Sequence, residues 1–302
     1  MIEAIPPADV QITPSLLRAL LEEQHPDLAD LPLVDSGNGW DNRLFRLGDR
    51  LGVRLPRRHQ AATLIEHEQR WLPELAPRLP IPVPVPVRTG RPGCGYPWSW
   101  SITRWFEGSS AASTPLRDPH RAAEQLAAFV SALHVNAPYD APRNPFRGVP
   151  LANRTGSVDG LVKQLEGVVD SEAVMRIWER ALRAREWSGP PVWIHGDLHP
   201  GNLLLDDAGV AAVLDFGDLT AGDPATDLSV AWMVLPSSAR AMFRDATREL
   251  GDAIDDDTWM RARGWALLFG LVFLANSRDD APSEALGRRT MAATIDGFAS
   301  GT

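Results

Sequence analysis

The densest group of residues able to do chemistry is the run His195-Gly196-Asp197-Leu198-His199-Pro200-Gly201-Asn202, set between two apolar stretches that read as buried strands. Polar loops held between core elements are where catalytic groups are usually carried. Thirteen residues after Asn202 comes Asp215, in the run Val213-Leu214-Asp215-Phe216-Gly217, a second apolar stretch ending in a carboxylate and a glycine. Between them Asp206-Asp207-Ala208-Gly209 reads as a hairpin turn, which brings Asn202 and Asp215 together at its open end. An amide oxygen and a carboxylate so placed suit a hard cation such as Mg²⁺, which takes few protein ligands and fills its shell with phosphate oxygens and water. Asp197, five residues before Asn202, is placed to accept a proton from a hydroxyl attacking a metal-bound phosphate.

These residues need a frame. Residues 31–55 read as the start of a β-meander: residues 31–34, a turn at Ser36-Gly37-Asn38-Gly39, residues 42–47, a Gly48-Asp49 turn, then 51–55. Thr13-Pro14 opens a helix before it. Residues 60–76 put Ala61, Leu64, Ile65, Trp71, Leu72 and Leu75 on one helical stripe with Glu68 among them, and a carboxylate on an apolar face needs a partner. Residues 79–87 alternate proline with aliphatics and must be extended; their apolar character marks a packed connection rather than a linker. Residues 98–106 have the aromatic and β-branched content of a strand. Helices follow from Asp118-Pro119 and near 171–186, 238–250, 256–276 and 282–298. Strands first and helices later predict an α+β protein whose two lobes meet near residues 104–110.

Composition narrows the function. The 302 residues are 44% hydrophobic and 23% charged, an ordinary globular balance. One cysteine, Cys94, excludes an internal disulfide framework and points to a reducing compartment. A net charge of −9 has the wrong sign for nucleic acid or an anionic membrane surface. No stretch is apolar for long enough to span a bilayer, and the N-terminus lacks a leader pattern, so the sequence reads as cytoplasmic. Lys163 is the only lysine, and no glycine loop precedes it, which excludes a Walker-type phosphate loop. Residues 1–108 carry 12 basic and 13 acidic residues, so the acidity lies in the helical part, either as solvated helix faces such as Asp255-Asp256-Asp257 or as a cleft for a cationic substrate.

The Asp-x-x-x-x-Asn spacing matches the protein-kinase catalytic loop and Asp-Phe-Gly its metal motif. His195 to Asn202, Leu214-Asp215-Phe216-Gly217 and Gly222-Asp223-Pro224-Ala225-Thr226-Asp227-Leu228, with Val53-Arg54-Leu55-Pro56, Glu68 and Trp105-Phe106-Glu107-Gly108, resemble the aminoglycoside phosphotransferase family over roughly residues 31–275. The resemblance implies a bilobal protein-kinase-like fold, with a small β-rich N-lobe over residues 1–104 and a larger, mostly helical C-lobe over 105–302. It implies Mg²⁺-dependent transfer of the γ-phosphate of ATP or GTP to a hydroxyl of a small molecule, an antibiotic or a primary metabolite such as choline, homoserine or a sugar. Asp197 would be the base, and Asn202 and Asp215 the metal ligands. The hinge segment Thr103, Arg104, Trp105 and Phe106 would offer backbone hydrogen bonds to the nucleobase, in a monomer or homodimer. The family usually has a lysine where this chain has Arg54, so Arg54 with Glu68 must supply the ion pair that contacts phosphate.

His195 reads as a brace for the loop, since the base role is filled, while His199 is either a surface residue or close to the phosphates. Asp223 and Asp227 read as one helix cap and one brace for the catalytic loop. Trp98, Trp100 and Trp105 read as core or hinge packing, and Trp232, Trp259 and Trp265 as mostly core. Two rival readings remain: His195-x-Asp197-x-His199 as part of a metallohydrolase ligand set, and a non-catalytic nucleotide-binding module suggested by the missing lysine.

Overall fold

The computed structural model of the chain describes residues 7–250, 254–277 and 280–296. The first part is built from α1 (Pro14–Gln24), β1 (Leu33–Asn38), β2 (Asn42–Leu47), β3 (Leu51–Pro56), α2 (His59–Leu75), β4 (Pro86–Gly90) and β5 (Trp100–Arg104). The five strands form one antiparallel sheet in the order β1-β2-β3-β5-β4, which puts β3 at its centre with Arg54 opposite Leu44 on one side and Ser101 on the other. Thr13 caps α1 by accepting the Leu16 N–H at 3.1 Å, with Pro14 in the first turn, and the apolar stripe Leu17, Leu20 and Leu21 is buried against the sheet cluster of Phe45, Val53, Trp100 and Ile102.

The second part comprises β6 (Ser109–Ser110), α3 (Pro119–Leu133), α4 (Thr155–Gln164), α5 (Ser171–Arg183), β7 (Val192–Ile194), β8 (Leu203–Asp206), β9 (Gly209–Val213), β10 (Thr220–Gly222), α6 (Ala225–Leu228), α7 (Val230–Val234), α8 (Ser237–Glu249), α9 (Asp256–Ala275) and α10 (Ala281–Ile295). Asp118 and Asp255 cap α3 and α9 through their carboxylates. α9 is apolar on nearly every face because α5, α6, α7 and α10 pack around it. Among the described residues no helix is long and apolar enough to cross a membrane.

Two apolar clusters result, one within residues 12–102 and a larger one centred on the helices. The C-terminal half of α2 contributes Trp71, Leu72 and Leu75 to the larger cluster, and the proline-rich connection adds Ile81 and Val83. The Val213 N–H donates to Pro82 C=O at 3.0 Å, so that connection is tied to β9. The helix carrying Glu68 is thereby packed into the larger cluster, while Glu68 itself ties it to the sheet through Arg54.

Local departures from the expected elements have clear causes. Ser36-Gly37-Asn38 lies within β1 rather than in a turn, with a bulge at Gly37, whose φ is 95° and whose N–H meets the Asp35 carboxylate. The strand expected over 98–106 is shorter, Trp100–Arg104, with the Trp105 N–H still meeting Arg50 C=O at 2.8 Å at the next position of the β3–β5 register. The helix expected over 171–186 ends at Arg183, where Ala184 is extended, and the last residues of the one expected over 282–298 lie outside the described residues.

Trp100 is fully buried, and its indole covers Gly90 so closely that an added Cβ would sit 1.8 Å from Cε2. Gly90→Ala is therefore expected to force Trp100 out of place and lower stability by about 1–3 kcal/mol, read as a reduced denaturant midpoint.

Candidate active site

Asp197 sits on the loop after β7, and that loop is shaped from beneath by one buried carboxylate. Asp227 in α6 is fully buried and accepts the His195 N–H at 2.7 Å, the Gly196 N–H at 2.9 Å and His134 Nε2 at 3.2 Å. Gly196 has φ 83°, and a Cβ there would lie 2.5 Å from Asp218 C=O, so only glycine lets the two loops approach. The His195 Nδ1 accepts the Asp197 N–H at 3.2 Å, which places the ring proton on Nε2, 2.9 Å from Leu214 C=O. His195 is a loop brace, as expected, and both its nitrogens are engaged.

The Asp197 carboxylate has three neighbours. Arg147 donates to Oδ1 at 3.0 Å, while His199 Nε2 at 3.2 Å and Asn202 Nδ2 at 3.3 Å face Oδ2. His199 Nδ1 accepts the Gly201 N–H, so Nε2 carries the proton and donates. Burial alone would raise the Asp197 carboxyl, but His199, Arg147 and His195 outweigh it and hold the group far below the usual carboxylate range. Asp218 shifts upward, first through burial and then through repulsion from Asp197, with the Asn144 amide donating to it at 2.6 Å.

The hairpin of β8 and β9 does what its turn signal promised. The Leu214 N–H donates to Asn202 C=O at 2.8 Å, which sets Asn202 beside the strand leading to Asp215. Asn202 turns its NH₂ to Asp197 C=O at 2.9 Å, which leaves its Oδ1 without a hydrogen bond among the described residues. Asp215 adopts φ 59°, an unusual left-handed conformation for a non-glycine residue. One oxygen of its half-exposed carboxylate meets Arg54 at 2.9 Å, and the other has no such contact among the described residues. Two hard oxygen donors thus project from one end of the hairpin, a set that fits Mg²⁺.

Arg54 joins this end of the hairpin to the sheet. Its NH1 donates to both Glu68 oxygens, at 2.6 and 2.9 Å, and its NH2 to Asp215. Glu68 is 1% exposed, and burial pushes its carboxyl up against the opposing pull of Arg54. Thr103 is buried on β5, Trp105 is half-buried with the Arg46 guanidinium over its ring at 5.2 Å, and the side chains of Arg104 and Phe106 line a separate cavity with Leu79, Ile81 and Val85.

The sequence reading missed Arg147, Asn144 and Asp218 as neighbours of Asp197. Asn144 and Arg147 come from the irregular stretch after α3, where no periodicity or spacing links them to residue 197. It also missed Arg261 as the partner of Asp223, whose carboxylate receives Nε at 2.7 Å and, at 3.0 Å, the Ala225 N–H that opens α6. The metallohydrolase reading is overturned by the backbone bonds of His195 and the Gly201 bond of His199. Among the described residues no group of three or more His, Cys, Asp or Glu could hold a metal ion.

The arrangement of sheet, hinge, catalytic loop and hairpin is that of a small-molecule kinase fold. A GDP complex of an aminoglycoside 2'-phosphotransferase-IIIa variant superimposes with a TM-score of 0.68 at 19% identity, over 93% of this chain and 97% of that one. A GDP and kanamycin complex of APH(2'')-IIIa gives 0.66 at 18%, over 93% and 99%. The macrolide 2'-phosphotransferase of Brachybacterium faecium gives 0.61 at 24%, over 93% and 98%. Residues 35–265 match the phosphotransferase enzyme family, and the chain belongs to it. No protein of curated function matches the chain in sequence.

Asp227→Ala leaves two buried backbone N–H groups without an acceptor. It is expected to cost about 2–5 kcal/mol in a chemical denaturation series, whereas Asp207→Ala on the exposed hairpin tip should cost under about 0.5 kcal/mol.

Proposed function

We propose that the chain transfers the γ-phosphoryl group of ATP or GTP to a hydroxyl of a small molecule, with antibiotic inactivation as its role. The observation that carries this reading is the convergence of Arg54, Glu68, Asp215, Asn202 and Asp197, from four separate segments, beside the central strand β3. The boundary between nucleotide-binding and catalytic lobes falls at residues 104/105, and the hinge 103–106 meets the nucleobase through its backbone. The Trp105 N–H is held by Arg50, so the contacts fall to the remaining backbone groups of that segment. The similar structures with GDP or ATP and with kanamycin, streptomycin or gentamicin favour a nucleotide donor and a hydroxylated acceptor. A cytoplasmic site fits a nucleotide-dependent enzyme with one free cysteine.

Each residue then has a task. Arg54, oriented by Glu68, neutralises phosphate oxygens of the donor. Asn202 Oδ1 and the free oxygen of Asp215 would hold Mg²⁺, which supplies charge neutralisation on the transferring phosphates when bound. Asp197 orients the acceptor hydroxyl and takes its proton as the oxygen bonds to phosphorus and the nucleoside diphosphate leaves. An aspartate kept ionised by His199 and Arg147 is a weak base. Such a base suffices when the phosphoryl transition state is loose and the proton leaves late. The filled Arg54 position and the intact Asp197 argue against a non-catalytic binding module.

Asp197→Asn is expected to lower turnover by about 10²–10⁴-fold with nucleotide affinity unchanged, measured by product mass and by nucleotide titration. Turnover close to that of the unaltered chain would rule out the base assignment. Asp215→Asn should abolish the Mg²⁺ dependence of nucleotide affinity, and an unaltered dependence would remove its metal role.

A further inference from the structure

Arg147 and Arg154 come from one irregular segment beside Asp197, and only the first has a carboxylate. Arg147 meets Oδ1 of Asp197, whereas the Asn202 amide faces Oδ2, so the arginine and the proposed metal ligand address different oxygens of the base. The Arg147 guanidinium lies over the Phe269 ring at 4.9 Å, and Phe269 stacks on Phe273, which meets the His199 ring edge-on. Arg154 lies over the ring of Phe146, the residue before Arg147, at 5.2 Å. A guanidinium lying over a ring keeps its N–H edges available to an oxyanion.

The guanidinium of Arg154 has neither an ion pair nor a hydrogen bond among the described residues. Its Nε and that of Arg147, the latter 3.9 Å from Asp218 Oδ2, are both buried without an acceptor. Burial and the like charge of Arg147 together push Arg154 below the usual arginine range, a cost that an anion at the pair would remove. The carboxylates around Asp197 are already met. Asp41 pairs with Arg58, and Asp215 with Arg54. Asp218 takes the Asn144 amide and is pushed up by burial and by Asp197. On the exposed helix faces Asp255 and Asp257 pair with Arg185, and Asp256 with Arg244. A polycationic acceptor would have to displace an arginine from Asp197 and would meet the uncompensated Arg154.

Resting on the phosphotransferase reading above, we infer that Arg154 and Arg147 form an oxyanion subsite, and that the acceptor is a hydroxylated molecule carrying a carboxylate or a phosphate. The acceptor hydroxyl lies at Asp197, and its oxyanion takes the open N–H edge of Arg154 in a charge-assisted pair. Arg147 holds Asp197 and adds its charge to the subsite. The net charge of −9 allowed a cleft for a cationic substrate, but the residues at Asp197 select the opposite sign.

The test is equilibrium dialysis of the full chain, with Mg²⁺, ADP and GDP present, against two matched sets and kanamycin. The sets are glycerate, glycerol 3-phosphate and glycerol, and gluconate, sorbitol 6-phosphate and sorbitol. At least one acid is expected to bind about tenfold or more tightly than its neutral parent and than kanamycin, and the better acid of that set tells a carboxylate from a phosphate. Arg154→Met should weaken that acid about tenfold and the neutral parent less than about twofold, with the melting temperature kept, and Arg154→Lys should restore part of the preference. Acids that bind no better than their neutral parents, kanamycin binding more tightly than every acid, or a preference that Arg154→Met leaves in place would each overturn the inference. Phosphorylation of kanamycin that Asp197→Asn abolishes would leave the phosphotransferase reading standing and this one refuted. An acid bound through Arg154 without any Asp197-dependent nucleotide turnover would do the reverse.

Discussion

Burying a carboxylate inside a lobe is unfavourable unless a cation meets it, and Glu68 is almost wholly removed from solvent on the apolar face of α2. Arg54 meets it from the central strand and, with its second nitrogen, reaches the half-exposed Asp215 at the end of the β8–β9 hairpin. One planar group therefore links sheet, helix and hairpin. A lysine, with one nitrogen, would have to choose between these carboxylates or sit between them, whereas the fork of a guanidinium addresses both at 2.6–2.9 Å. In the proposed function this guanidinium would meet the donor phosphates, and its orientation is fixed by the fold rather than acquired on binding.

The loop that carries Asp197 depends on a second buried acid. Asp227 holds two successive N–H groups of the loop, His195 locks the loop to the hairpin through Leu214, and Gly196 permits the close approach of the Asp218 segment. Asp197 is held at the end of this chain of contacts, ionised by its neighbours. The α9 helix supplies the floor, with Phe273 edge-on to the His199 ring at 5.3 Å.

The fold was legible wherever local chemistry and global packing agree. The proline alternation at 79–87, the caps at Thr13, Asp118 and Asp255, and the hairpin turn at 206–209 each signal their element through a short-range constraint. The need of Glu68 for a partner was readable from periodicity, and the family resemblance pointed to Arg54 as that partner. The loop brace at Asp227 was readable as one of a pair of acids flanking a proline. Arg147 and Asn144 were not, because they reach Asp197 from an irregular segment whose path is set by β10 and by the Gly148 contact with Gly222, where an added Cβ would meet backbone at 2.4 Å. The limits of β1 were misplaced because glycine and asparagine signal a turn and a bulged strand equally well.

The central claim of the proposed function is that Glu68 acts through Arg54, holding the guanidinium that would meet phosphate. A double-mutant cycle of Arg54→Met and Glu68→Gln, read as Mg²⁺-nucleotide dissociation constants by titration, isolates that dependence. Loss of Glu68 should weaken nucleotide binding when Arg54 is present and change nothing once Arg54 is methionine, a coupling of about 1–3 kcal/mol. Effects that add to within about 0.5 kcal/mol would show that the two residues act independently and would contradict the account.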